Sequence, residues 1–173
     1  KSRVYFVFNT FIRHWKEPLK STLDPLLDGV RSGLETGDIE NACHCAAFYC
    51  IYTFLSGVPL EETQDKQARY IELTTHYKQE FQTDQAKLWH QVVLNLRGQP
   101  DDPVQLVGEA FDETTALPHA KDAKNAMVVF PAYLAKLMLA YWFKQPDRAV
   151  EFARSAQLYR DGGDKGPETL ANW

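Results

Sequence analysis

The stretch Gly37-Asp38 to Ser56-Gly57, with its core ACHCAAFYCIYTFL over Ala42 to Leu55, decides the fold. Small residues (Ala42, Cys43, Cys45, Ala46, Ala47, Cys50) alternate with Phe48, Tyr49, Tyr52 and Phe54, so a helix here has almost no polar face. Such a helix needs cover on most sides. Small residues admit close neighbours and aromatics fill the remaining space, which is the composition of an inner helix clamped between others.

Outward from it the chain keeps a rhythm. Aromatic-rich stretches end at Trp15, Leu55, Leu96 and Phe143, and each is followed by a proline, at Pro18, Pro59, Pro103 and Pro146, at spacings of 41, 44 and 43. Proline suits the first turn of a helix, so each is expected to open a second helix. The runs behind them have apolar residues near a 3.6-residue period: Leu19 to Leu34, Leu60 to Tyr77, Val104 to Phe111 and Ala149 to Tyr159. The expectation is one all-α domain over 1–173 with hairpins at about 3–36, 38–82, 84–120 and 122–161 and the start of a further helix in 162–173. A period of about forty residues with two helices per unit is the signature of an α-solenoid, here a right-handed superhelix, with a single bundle as the alternative.

Local punctuation agrees. Gly57 and Gly98 stand where helices should end, and Thr36-Gly37-Asp38 closes one helix and offers Asp38 as the next N-cap, with Asn41 in the place of a capping-box glutamate. Asp101 or Asp102 would cap a helix from Val104, and Leu117-Pro118-His119 reads as a break, because proline biases the residue before it out of helix. The chain opens at Lys1 and closes at Trp173 just beyond a Gly/Asp-rich joint, which suggests a piece of something longer.

Composition narrows the function. Nineteen basic against twenty-three acidic residues, with no Lys/Arg run, argue against nucleic acid as the main partner. Three cysteines on one segment suggest a reducing cytoplasm rather than a disulfide framework. The run AMVVFPAYLAKLMLAYWF (126–143) approaches membrane-spanning length, but central Lys136 and Pro131 favour a buried helix, so no membrane insertion is expected.

No residue set carries catalysis. On one helix Cys43 and Cys45 point about 200° apart, so Cys43-His44-Cys45 with Cys50 reads as core and not as a zinc site. None of His14, His44, His76, His90 and His119 has the context of a phosphotransfer histidine, and Gly29, Gly33 and Gly37 lack the G-K-[ST] of a phosphate loop. Glu61-Glu62 and Asp101-Asp102 fall at expected helix starts, where they complement the macrodipole. No cofactor is expected.

The runs HWKEPLKSTLDPLLDGVRSGLETGDIENACHCAAFYCIYTFLSGVPLEE, LWHQVVLNLRGQPDDPVQLVGEAFDE and YLAKLMLAYWFKQPDRAVEFARSAQLYRDG, together spanning most of His14 to Gly162, resemble the helical middle region of bacterial multi-sensor signalling kinases, a family best populated in cyanobacteria. The resemblance implies a non-catalytic helical-repeat scaffold between a kinase-like domain with a predicted ATPase and downstream GAF or PAS sensor modules with a histidine kinase. The partners it implies are other domains of the same polypeptide or a protein or peptide. A small helical phosphotransfer or enzymatic domain is the alternative. Ala149, Ala153 and Ala156 resemble a tetratricopeptide second helix, although Ala153 stands where that pattern prefers an aromatic and Phe152 is displaced by one. In a solenoid the terminal helix would leave an apolar face for its neighbour, so Phe152, Ala156, Tyr159, Leu170 and Trp173 form the expected interaction surface, with self-association through it.

Overall fold

The computed structural model describes residues 1–98 and 101–160. Among these the regular structure is helical: α1 (Ser2–Phe11), α2 (Leu23–Thr36), α3 (Ile39–Leu55), α4 (Leu60–His76), α5 (Glu80–Leu96), α6 (Glu113–Asp122), α7 (Ala126–Trp142) and α8 (Pro146–Gln157). The only β pairing among the described residues is a single bridge between Val107 and Asp112. The chain divides into two compact units, Lys1–Val93 and Leu94–Trp173.

In the first unit α3 is the centre, as its lack of a polar face requires. Helices α1, α2 and α4 all pack on it, and Ala42, Cys43, Cys45, Ala46 and Cys50 are wholly inaccessible to solvent. Close approach rests on two glycines of α2: a Cβ at Gly29 would lie 2.6 Å from Cys45 Sγ and 2.9 Å from Tyr5 Cβ, and one at Gly33 would lie 2.7 Å from Ala42 Cβ. Helix α5 reaches this core through Trp89, whose ring packs 5.8 Å from that of Phe54. Several buried polar groups here are paired in ways sequence periodicity does not reveal, although the Thr10 hydroxyl is buried without a partner among the described residues. Gln67 Nε2 donates to the Cys50 carbonyl at 3.1 Å while its Oε1 lies 3.0 Å from His90 Nδ1, and the Tyr52 hydroxyl donates to the Thr10 carbonyl at 2.7 Å. Asp38 does not cap α3 by a side-chain bond to its backbone. Its carboxylate instead accepts from the Ser2 hydroxyl and, at 2.9 Å, from the Asn41 amide, tying α1 to the α2–α3 turn. These two bonds hold the Asp38 carboxyl below the usual range.

Most helix junctions share one device, a residue in the left-handed region. Gly37, Gly57 and Gly98 take it as expected, at φ between 75° and 79°, but so do Lys78, Lys124 and Lys144, at φ 53° to 56°. The next residue's N–H then reaches back to the helix, from Gln79 to the Thr74 carbonyl, Asn125 to Ala120 and Gln145 to Ala140 at 2.8 to 3.0 Å, which satisfies an otherwise orphaned acceptor.

Three expectations about boundaries are corrected. Helix α1 stops at Phe11, and a short 3-10 turn (Arg13–Trp15) completes the aromatic stretch. Pro103 opens no helix: residues 103–112 form an irregular turn, with Asp102 Oδ1 accepting from Val104 N–H, the Asn95 amide donating to the Pro103 and Gln105 carbonyls, and Glu113 N–H donating to the Leu106 carbonyl. The helix begins at Glu113, where Asp112 caps Thr114 N–H at 2.8 Å. Pro118 lies inside α6 rather than breaking it, and Pro131 lies inside α7. Each sits in the second turn, where one backbone bond is forfeited while Leu117 and Ala120, or Ala132 and Ala135, are buried.

In the second unit α7 packs against α6 and α8. Lys136 at the centre of α7 is buried, and its Nζ meets Glu113 Oε1 at 2.6 Å. The other Glu113 oxygen accepts from Leu106 N–H at 3.1 Å, so one carboxylate holds both the α7 cation and the 103–112 turn. No described helix is long and apolar enough to cross a membrane.

Candidate interaction surface

Helix α1 carries more apolar residues than the first unit covers. Phe6 turns inward and stacks on the His44 ring at 4.6 Å, with Phe48 at 5.6 Å. Burial pushes the His44 imidazole below its ordinary pKa, opposed by Glu40, and the ring nitrogen Nε2 lies 3.1 Å from Gln82 Nε2. The remaining apolar surface of α1 is largely open to solvent, with one edge of the Phe11 ring resting on Phe6 at 5.8 Å and Phe48 at 6.1 Å. Val4 is 70 % exposed, Phe8 45 %, Phe11 54 % and Ile12 52 %, and Trp15 is 80 % exposed. Val4, Phe8 and Phe11 lie on one face of α1, and Trp15, in the 3-10 turn beyond the helix end, continues the exposed apolar surface.

The 3-10 turn fixes the end of this strip. The Trp15 indole N–H donates to the Phe11 carbonyl at 2.9 Å, which holds the ring outward beside Ile12. Arg13 is bound to Glu17 at 2.8 Å and to Asn9 Oδ1 at 3.3 Å. Arg13 and then the Ser21 hydroxyl hold the Glu17 carboxyl below its usual range. A pocket of about 520 Å³ opens among Phe8, Phe11, Ile12 and Trp15, with Arg13, Lys16 and Glu17 also in its walls. Five of the nineteen basic residues but one of the twenty-three acidic ones lie in the first twenty positions, and two of these cations, Arg13 and Lys16, stand in the pocket wall beside Glu17.

The other residues singled out in the sequence are placed elsewhere. Cys43, Cys45 and Cys50 are buried free thiols, and burial pushes Cys43 up to about 11 and Cys45 to about 12. His90 is buried beside Gln67 and His44 half-buried, whereas His14, His76 and His119 are exposed on separate elements. Glu61 and Glu62 lie in the first turn of α4, with Glu62 paired to Lys66 at 2.7 Å, and Asp102 pairs with Arg148 at 3.1 Å. Among the described residues no three His, Cys, Asp or Glu side chains gather as a metal site would require.

Of the residues expected to form a C-terminal interaction surface, two are turned into the second unit. Phe152 and Ala156 are buried, with Lys136 Nζ 4.6 Å and the Arg148 guanidinium carbon 5.7 Å from the centre of the Phe152 ring. Ala149, Phe152 and Ala156 form the inward face of α8, so the inward position falls on Phe152, and Ala153, which the tetratricopeptide pattern would place there, is exposed. Tyr159 is half-buried, and Leu170 and Trp173 lie outside the described residues. The α1 strip went unrecognised in the sequence; its signal was the spacing of Val4, Phe8 and Phe11, flanked by Arg and Lys. Comparison with protein-family models, with curated proteins and with solved structures finds no match.

Proposed function

We propose that this chain is a non-catalytic helical-repeat scaffold that docks other protein domains. The observation that carries this reading is the solvent-facing apolar strip of α1, ending at Trp15 with 80 % of its surface exposed. Large aromatics left in solvent and gathered around a pocket mark interaction sites far more often than isolated exposed residues do. The recurrent left-handed junctions between consecutive helices support a tandem arrangement, a tetratricopeptide-like right-handed superhelix being the architecture that suits it. Following the resemblance to the helical middle region of multi-sensor kinases, the scaffold couples an ATPase-type switch to sensor and kinase domains in the cytoplasm.

Site-specific photocrosslinking tests the reading. With p-benzoylphenylalanine at Phe11 or Trp15, in the cells that make the protein, crosslinks to a kinase, ATPase or sensor domain are expected, well above those from the exposed position Glu72. No excess at Phe11 or Trp15 refutes the scaffold.

A further inference from the structure

The α1 strip has the chemistry of a site for one class of partner, an inference that rests on the scaffold reading. We propose that the pocket among Phe8, Phe11, Ile12 and Trp15 receives a bulky apolar side chain from an acidic amphipathic helix, whose carboxylates meet the cations around the strip.

Shape and charge carry this. Val4, Phe8 and Phe11 give α1 an exposed apolar face one helix wide, and Trp15 in the following turn closes its end, a surface that an apolar stripe on a second helix matches. The pocket at its end, about 520 Å³, is large enough for an aromatic or leucine anchor. Of the surrounding cations Arg13 is already bound to Glu17. Lys16, in the pocket wall, is exposed and carries no side-chain hydrogen bond or ion pair among the described residues, so its charge is open to a partner, and Arg3 and Lys20, near it in sequence, are likewise exposed and unpaired. A second copy docking face to face would set cations against cations. A bilayer offers no discrete side chain to fill a concave pocket. An acidic helix satisfies both the seam and the charge.

A displayed library of 18-residue helical peptides, with an apolar stripe and Glu, Lys, Gln or Ser at the remaining positions, tests the proposal against the full chain. Enrichment of net-negative peptides with a bulky anchor is expected. Their binding, followed by fluorescence anisotropy, should weaken at least about tenfold in Trp15→Asp, the loss typical of a buried anchor. Lys16→Glu with Lys20→Glu should reverse the preference toward basic peptides, and added salt should weaken binding to the unaltered chain. These positions are exposed, so circular dichroism of the variants should match the parent. No enrichment, enrichment of neutral or basic peptides, or affinities indifferent to these substitutions overturns the proposal. Tighter binding to vesicles containing phosphatidylserine, or a dimer in sedimentation that Trp15→Asp dissolves, assigns the strip to lipid or to a second copy and overturns it equally. Crosslinks from Trp15 to a neutral or basic partner surface would remove the acidic helix and leave the scaffold standing, whereas the absence of any crosslink removes the scaffold itself.

Discussion

Replacing Gly29 by alanine places one methyl group where three helices meet. The new Cβ would stand 2.6 Å from Cys45 Sγ on α3 and 2.9 Å from Tyr5 Cβ on α1, against an ordinary contact of 3.4–4 Å. Alanine in a helix interior gains about 1 kcal/mol over glycine. Overpacking a tight core costs about 1–3 kcal/mol, and the upper end applies because the neighbours lie on two different helices and Cys45 has no solvent to move into. The net expectation is a destabilisation of about 1–2 kcal/mol. Cys45→Ala alone loses a small buried group, about 1 kcal/mol. In the double variant the methyl occupies the space left by the sulfur, 3.5 Å from the remaining Cβ, so the two losses should not add. A coupling of about 1–2 kcal/mol in favour of the double variant is expected. Gly37→Ala is the control: it is strained by φ 75° with nothing within 4 Å, costs about 1–2 kcal/mol, and should be indifferent to Cys45. Urea unfolding followed by Trp89 emission, with the other tryptophans replaced by phenylalanine, reads the first unit. Additivity of Gly29→Ala and Cys45→Ala within about 0.5 kcal/mol would refute the close-packing argument.

Two further predictions concern buried charge and pH. Lys136→Met leaves the Glu113 carboxylate in a nearly dry site without its cation and should destabilise by about 3 kcal/mol, whereas Lys136→Met with Glu113→Gln should recover much of the loss; equal losses in the two variants by thermal unfolding would show that the pair is not coupled. His44, packed between Phe6 and Phe81 beside Gln82, has its folded pKa lowered by burial, so the unfolded chain binds the extra proton first. Its contribution is complete above the unfolded value near 6.5 and is lost as pH falls below it. His44→Gln should flatten the decline in urea midpoint between about pH 7.5 and 5.5, and an unchanged slope would place the titrating group elsewhere.

Much of the first unit is legible in the sequence because its signals are local or compositional. A helix with no polar face has to be central, and α3 is; glycines after apolar runs close α2, α3 and α5 in the left-handed conformation. Lys78, Lys124 and Lys144 take the same conformation without the residue type that announces it, because the bonds closing the junctions outweigh the strain in a side chain that stays exposed. Residues Val104 to Phe111 show how far periodicity reaches. Their spacing suits a helix, yet the Asn95 amide and the Glu113 carboxylate hold them in a turn, and both partners are fixed by packing beyond the segment.

The α1 strip and Phe152 show the same division. Both lie in segments with large apolar side chains, and sequence alone determines that each segment has an apolar face. Which face remains in water depends on what the rest of the chain places against it. Phe152 is covered, with Lys136 and Arg148 over its ring, while Trp15 is held outward by its bond to the Phe11 carbonyl. Helicity and the identity of the central helix follow from composition and local propensity. The candidate site follows from burial, a property of the whole fold that no single segment carries.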